Sequence, residues 1–285
     1  MARVELFART EIGCVRERNE DSFVVANIAT GERGLRPGTT VQELGVGTLL
    51  IGVCDGMGGA AAGDLASKIG CETLYDAMMA HTPLRDVSSL HEAMLSAVAA
   101  ANRAIADFAR QNPGKRGMGT TMTAALVFGH ELHLVHVGDS RAYLRRGRAL
   151  TQLTTDHSIV GQMVASGQLT PEQARSYEHR NVLLQALGVQ PSIQPELVQV
   201  TLRAGDVLLM CSDGLTGPLD DEHVLELMLK HQDPIRCCRA LTEAACAAGG
   251  PDNVTVAIAR FVGDGLEVPQ GREPVQARRA AHTLQ

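Results

Sequence analysis

Five aspartates stand where a carboxylate can be held rigidly. Asp21, Asp55, Asp139, Asp213 and Asp252 each lie at the end of an apolar run or in a glycine-rich turn. Asp55 and Asp213 follow the apolar stretches LLIGVC and DVLLMCS, which read as buried strands, so their carboxylates fall at sheet ends where the backbone is fixed and water can be excluded. Oxygen ligands with no cysteine cluster beside them suit a hard cation, Mg²⁺ or Mn²⁺, better than zinc. Such a set also needs cations, because carboxylates packed together repel one another and resist ionisation. A plainer reading competes: Asp-Gly is the strongest short hairpin signal, and Asp264-Gly265 near the C-terminus shows that the dipeptide also arises without chemistry. Taken singly, each dipeptide reads as a turn; only the set points to a metal centre.

The N-terminal run Arg16-Glu17-Arg18-Asn19-Glu20-Asp21 is equally two-sided. It is a solvent-exposed turn, or it is a place where the fork-shaped guanidinium of Arg16 grips phosphate oxygens while an acidic neighbour faces metal. His133 and His136 lie three apart on one strand, point to opposite faces and make poor co-ligands.

The elements that must position these residues follow from periodicity. Asp64 to Ala80 carries Leu65, Ile69 and Ala77/Met78 at helical spacing. Ser89-x-x-Glu92 reads as a capping box opening a second helix, striped by Leu90, Met94, Val98, Ala101, Ile105 and Phe108 and ended by Asn112-Pro113-Gly114. From Thr121 to Leu153 the pattern is an antiparallel meander with turns at Gly129-His130 and Gly147-Arg148. The basic run Arg141 to Arg148 is expected at the solvated edge of a hairpin. Residues 156–188 turn irregular and helical, with Thr170 as N-cap and Pro171 at the first helical position, and read as an inserted flap. Helices start near Asp220 and Asp233, and the last strand runs from Val254 to Phe261. Residues 263–285 lack apolar periodicity and are expected to be disordered. Strands in runs and helices in pairs give the class α+β with antiparallel sheets.

Composition narrows the function. The 285 residues are 45% hydrophobic and 20% charged, with a net charge of −6, which argues against a groove that binds nucleic acid by neutralising phosphates. Seven cysteines without a CxxC pair fit reduced, buried thiols. No window reaches the roughly 18 apolar residues of a membrane span, and the opening MARVELFARTEIG lacks the apolar stretch of a signal peptide, so a cytoplasmic location is expected.

With their flanks, these residues resemble the protein phosphatase 2C, or PPM, family in its bacterial form. The resemblance is carried by R-x-x-N-E-D-S at Arg16 to Ser22, DGMGG at Asp55 to Gly59, GMGTT at Gly117 to Thr121 and VGDSRAYL at Val137 to Leu144. LTTDHS at Leu153 to Ser158, RNVLLQALG at Arg180 to Gly188, CSDGL at Cys211 to Leu215 and Asp252-Asn253 complete it, in family order. The resemblance implies a four-layer αββα sandwich over residues 1–262, two antiparallel sheets flanked by helix pairs. It also implies metal-dependent hydrolysis of phosphoserine and phosphothreonine in proteins, by a water bridging two divalent cations and without a phosphoenzyme. By position, Asp55 would bridge two of the two to three Mg²⁺ or Mn²⁺ ions, and the Gly56 carbonyl would ligate one. Asp213 and Asp252 would complete the other site, Asp21 and Glu20 would bind directly or through waters, Asp139 would share a third ion with Asp213, and Arg16 would hold the substrate phosphate. Partners would be phosphorylated proteins, substrates of a Ser/Thr kinase, and a monomer is the simplest expectation. One departure is plain: the family commonly places a histidine after DGMGG or directly after Asp-Gly, where this chain has Ala60 and Met57. The proton donor then falls to water or to His157, whose competing role is structural. A catalytically weak binding module and a phosphatase of small esters are the rival readings.

Overall fold

The computed structural model describes residues 2–35, 49–58 and 62–284, together with the backbone of 40–43. The chain lays down β1 (Arg3–Glu11), β2 (Asp21–Asn27), β3 (Glu32–Arg33), β4 (Thr40–Glu43) and β5 (Leu49–Met57), then the long helices α1 (Gly63–Ala80) and α2 (Val87–Gln111). A meander follows: β6 (Gly119–Thr120), β7 (Met122–Phe128), β8 (Glu131–Val137), β9 (Arg141–Arg146) and β10 (Ala149–Gln152). Two short helices, α3 (Ile159–Ala165) and α4 (Pro171–Arg175), precede β11 (Glu196–Thr201) and β12 (Val207–Cys211). The chain closes with α5 (Asp213–Thr216), α6 (Asp221–Lys230), α7 (Pro234–Ala247), β13 (Val254–Val262) and β14 (Ala277–Ala281).

Two sheets result, ordered β10-β9-β12-β13-β1-β4 and β14-β11-β8-β7-β5-β2-β3, with β6 paired to β5; each pairing among the described residues is antiparallel. Alternation along each strand sorts the apolar side chains into three cores. In β13, Ala257, Ala259 and Phe261 turn inward between the sheets, where they meet Leu49, Ile51 and Val53 of β5. Val254, Val256 and Ile258 turn outward onto Cys237, Leu241 and Ala245 of α7. On the opposite side, Leu50 and Cys54 of β5 pack under Leu74 of α1 and Met94 of α2. The architecture is the α+β, four-layer αββα sandwich expected from the sequence. Among the described residues no helix is long and apolar enough to cross a membrane.

Three expectations need correction. Helix α2 starts earlier than Ser89: Asp86 is the N-cap, its carboxylate accepting from the Ser89 N–H at 2.7 Å while the Ser89 hydroxyl accepts from the Asp86 N–H at 3.0 Å. Ser89 therefore closes the capping box from inside the helix instead of opening it.

The basic run is solvated only at its turn, where Arg148 is exposed. Strand β9 is flanked by β10 and β12, so Arg145 and Arg146 are only 5% and 6% exposed. Arg146 is satisfied by a two-pronged ion pair with buried Asp206 at 2.7 and 2.9 Å and by the Thr201 carbonyl at 2.8 Å.

Residues 263–284, the described part of the expected tail, do not lack structure. The same corner orders them: Arg146 reaches Glu273 at 3.6 Å, and Arg203 pairs with Glu273 at 2.9 Å. Leu266 is buried, β14 then adds to β11, and the Leu284 N–H donates to the Ile193 carbonyl at 2.8 Å. An edge strand of sequence ARRAA exposes both faces and so carries no apolar alternation to detect.

Breaking one side of a buried ion pair leaves the other charge stranded. Arg146→Met should therefore lower unfolding stability by about 3–5 kcal/mol, and Arg146→Met with Asp206→Leu should recover much of that loss, both read from urea midpoints at constant m-value.

Candidate metal centre

Asp21 opens β2 directly opposite Asp55 in the β2–β5 ladder, so the two carboxylates share one face of the sheet. Asp213 follows β12, and Asp252 precedes β13, the neighbour of β12. The loops at one end of both sheets thus gather four aspartates from opposite ends of the chain. Asp139 joins them from the turn between β8 and β9, where its charge acts on Asp55 and feels that of Asp213.

Hydroxyl and amide groups fix this end. Asp21 is 7% exposed; its Oδ2 accepts from the Ser212 and Thr255 hydroxyls, both at 2.7 Å, whereas its buried Oδ1 has no partner. The Asp55 N–H donates to Thr121 Oγ1 at 2.9 Å, and its carbonyl accepts from the Thr121 N–H at 2.9 Å and the Thr120 hydroxyl at 2.8 Å. Asn253 staples the N-terminal loop to the β13 loop: its Oδ1 accepts from the Glu20 N–H at 2.7 Å, and its Nδ2 donates to the carbonyls of Ile12 at 2.9 Å and Arg18 at 2.8 Å. Two glycines permit the close backbone approach. A Cβ on Gly56 would stand 2.0 Å from the Gly63 carbonyl oxygen, and one on Gly214 would stand 1.9 Å from that of Asn253.

Withdrawal from water, and then mutual repulsion, sets the electrostatics. Asp55 is pushed well above the usual carboxylate range by burial, then by Asp21, Asp213, Asp139 and Asp252. Asp21 is pushed up to about 7, chiefly by burial, which outweighs its two hydroxyl bonds. Asp213 rises through burial and Asp252, moderated by a hydrogen bond with Asp55. Asp139 rises through burial, Asp213 and Asp156. Compensating charge comes from Arg16, whose Nη2 donates to Asp252 Oδ2 at 2.7 Å, and from Arg141, which acts on Asp139 and Asp213.

Among the described residues, no three acidic, histidine or cysteine side chains converge closely enough to hold a cation by themselves. The donor set itself, carboxylates with no cysteine or histidine among them, suits Mg²⁺ or Mn²⁺, which accept carboxylates, main-chain carbonyls and retained waters, better than zinc. The unpartnered oxygen of Asp21 and the self-repelling set supply the demand for positive charge.

Glu20 stands slightly apart. Its carboxylate accepts from the Gly63 N–H and so caps α1, which has no other side-chain cap. Burial raises its pKa, against the pull of Arg16. Met57 ends β5, while Gly59 and Ala60 lie outside the described residues. His157 uses Nδ1 to accept from the Gly138 N–H at 3.3 Å, and burial lowers its pKa, as suits a structural imidazole. His133 and His136 do face opposite ways: His133 Nδ1 meets His91 of α2 at 3.0 Å, and His136 meets Thr123 and the Thr155 carbonyl at 2.9 and 3.1 Å.

The residues that hold the aspartates, namely Ser212, Thr255, Thr120, Thr121 and Asn253, escaped assignment from sequence. Four of them sit inside motifs already noted, beside the acidic residues; Thr255 looks like any β-branched strand residue.

The family model described as Protein phosphatase 2C matches residues 39–245. Serine/threonine protein phosphatase PstP of Mycobacterium tuberculosis is 40% identical over 92% of this chain, which spans 46% of that relative's length. The whole of such a relative is therefore about twice as long as this chain. Serine/threonine phosphatase stp of Listeria monocytogenes is 32% identical over 87% of this chain and 92% of its own. A crystal structure of the PstP catalytic domain in complex with two manganese ions superposes with a TM-score of 0.74 at 37% identity, covering 92% of this chain and all of that one. The matched span, the near full-length relative and the shared sandwich together place this chain in the protein phosphatase 2C family.

Proposed function

We propose that this chain hydrolyses phosphoserine and phosphothreonine esters of proteins with the help of two divalent cations and without a phosphoenzyme. The carrying observation is the gathering of Asp21, Asp55, Asp213 and Asp252 at one sheet end, with Asp21 Oδ1 buried and unpartnered. The naming of relatives as serine/threonine phosphatases, one with two manganese ions, supports the reading. In it, Asp55, the Gly56 carbonyl, Asp213 and Asp252 would hold the two cations, and Asp21 and Glu20 would contribute directly or through water. Asp139 and Asp213 form a weaker third site. When bound, the cations acidify a shared water and offset charge on the phosphate.

The chain's own residues do the rest. The hydroxyls of Ser212 and Thr255 aim Asp21, and Thr121 fixes the backbone of Asp55, so the carboxylates need no reorganisation when a substrate arrives. Arg16 is half-exposed and neutralises Asp252 in the metal-free protein. With Asp252 engaged in holding a cation, the Arg16 guanidinium would be free to fork onto the phosphate. The two thiols nearest the aspartates make poor nucleophiles: burial pushes the Cys211 thiol up to about 12, and Cys54 is raised by its hydrogen bond with Cys71 and by burial. With His157 held neutral as an acceptor toward Gly138, the leaving alkoxide takes its proton from water. The substrates in this reading are proteins phosphorylated by a Ser/Thr kinase.

The reading is tested by turnover of a phosphothreonine peptide and of p-nitrophenyl phosphate with Mn²⁺ and with EDTA. We expect Mn²⁺-dependent turnover of both, abolished by EDTA. Asp55→Asn and Asp213→Asn should each lower kcat/KM by about 10³ or more while retaining the native circular dichroism spectrum. Metal-independent turnover, or activity in either folded variant, would refute the assignment.

Stability of the metal-free protein carries a second signature. Asp21 keeps its proton in the folded state up to about pH 7 but loses it in the unfolded chain near the ordinary carboxylate value. The folded state therefore binds more protons, and stability falls as pH rises. His133 and His136, whose pKa burial lowers to about 4 and about 3, act oppositely but only in acid, where the unfolded chain gains protons that the folded one refuses. The metal-free Tm should thus fall between about pH 6.5 and pH 8, and Asp55→Asn should raise the Tm and flatten that slope; calorimetry across this range measures both.

A further inference from the structure

A cavity of about 440 Å³ opens beside Asp139 and Asp213 and runs beneath α3 and α4. Because it is continuous with the candidate metal centre, a substrate whose phosphate sits at the aspartates must send its neighbouring residues along the cavity or past it. The charges of its lining show what those residues should be.

Near the centre, Asp139 and Asp213 belong to the cations. Next, Asp156 is locked to Arg141 by three hydrogen bonds of 2.7 to 3.0 Å, so that pair is neutral. Farther along, three guanidiniums arrive from three separate segments: Arg175 on α4, Arg180 in the following loop and Arg279 on β14. None is tightly matched. Arg175 lies 3.9 Å from Asp220, and Arg180 donates to the Arg175 carbonyl at 2.6 Å. Arg279 donates to the Gln152 carbonyl at 3.1 Å and lies 3.7 Å from Glu196, whose oxygens are already taken by the Thr155 N–H and hydroxyl at 2.9 and 3.1 Å. Asp221, which also lines the cavity, accepts from the Tyr143 hydroxyl at 3.1 Å. Each guanidinium has five N–H donors, so several remain to be used.

Resting on the phosphatase reading above, we infer that this cavity is a subsite for an acidic side chain flanking the phosphorylated residue, and that Arg279, supplied by β14, is a specificity-determining residue. The strand that follows the last strand of the six-stranded sheet thus completes a substrate subsite. The ion pair forms in a partly solvated cavity, so its contribution is modest and weakens with salt.

The test uses a pair of peptides bearing a non-hydrolysable phosphonate analogue of phosphothreonine, one with Glu and one with Gln at the flanking positions, titrated by calorimetry into the Mn²⁺-loaded full chain at low salt. Wild type should bind the Glu peptide about fivefold tighter than the Gln peptide. Arg279→Gln should remove most of that difference, Arg279→Lys should restore part of it, and turnover of p-nitrophenyl phosphate should stay unchanged in both variants. Equal affinity of wild type for the two peptides would overturn the subsite, as would an Arg279→Gln variant that weakens both peptides alike. A Glu preference that persists in a protein without p-nitrophenyl phosphate turnover would keep the subsite and sink the phosphatase reading instead.

Discussion

The structure turns on electrostatic repulsion that the protein relieves only in part. Asp21 and Asp55 face each other across a ladder, Asp213 hydrogen-bonds Asp55, and Asp252 and Asp139 add their fields. An apolar or amide side chain at any of these places would relieve the strain. The chain instead spends hydroxyls on Asp21 and leaves its second oxygen bare. A set that is costly alone becomes favourable once divalent charge enters, which couples the stability of the fold to the chemistry proposed for it.

Holding such a set requires stiffness from parts remote in sequence. Both sheets contribute, β2 and β5 from one and the loops bounding β12 and β13 from the other, and the core between the sheets sets their spacing. Asn253 ties the Arg16 loop to the sheet end, and the Arg16–Asp252 pair stands in for a cation at one carboxylate. On the opposite flank, buried Arg146 and Asp206 anchor the segment that delivers β14 and, with it, Arg279 to the cavity.

Much of this was legible in the sequence because short-range signals and long-range packing agree. The apolar runs that end in Asp55 and Asp213, the caps at Thr170, Asp220 and Asp233, and the alternation of VTVAIARF each mark an element that exists where expected. What failed depended on neighbours distant in the chain. Arg145 and Arg146 look solvated until β12 is seen beside β9, and ARRAA looks formless because an edge strand has no buried face to alternate. At the site, charged residues announced themselves by type, but the hydroxyls that orient them did not. Thr255 is recognisable only once β13 brings it within 2.7 Å of Asp21. The Asp86 cap was obscured by the competing Ser89-x-x-Glu92 pattern three residues later.

The central claim, that the aspartates keep protons which divalent cations displace, is tested most directly by titrating Mn²⁺ into the metal-free protein at pH 7 in buffers of different ionisation enthalpy. The account predicts saturable binding with net release of protons, and a smaller release in Asp55→Asn. Binding with no proton release, or no binding at all, would contradict it.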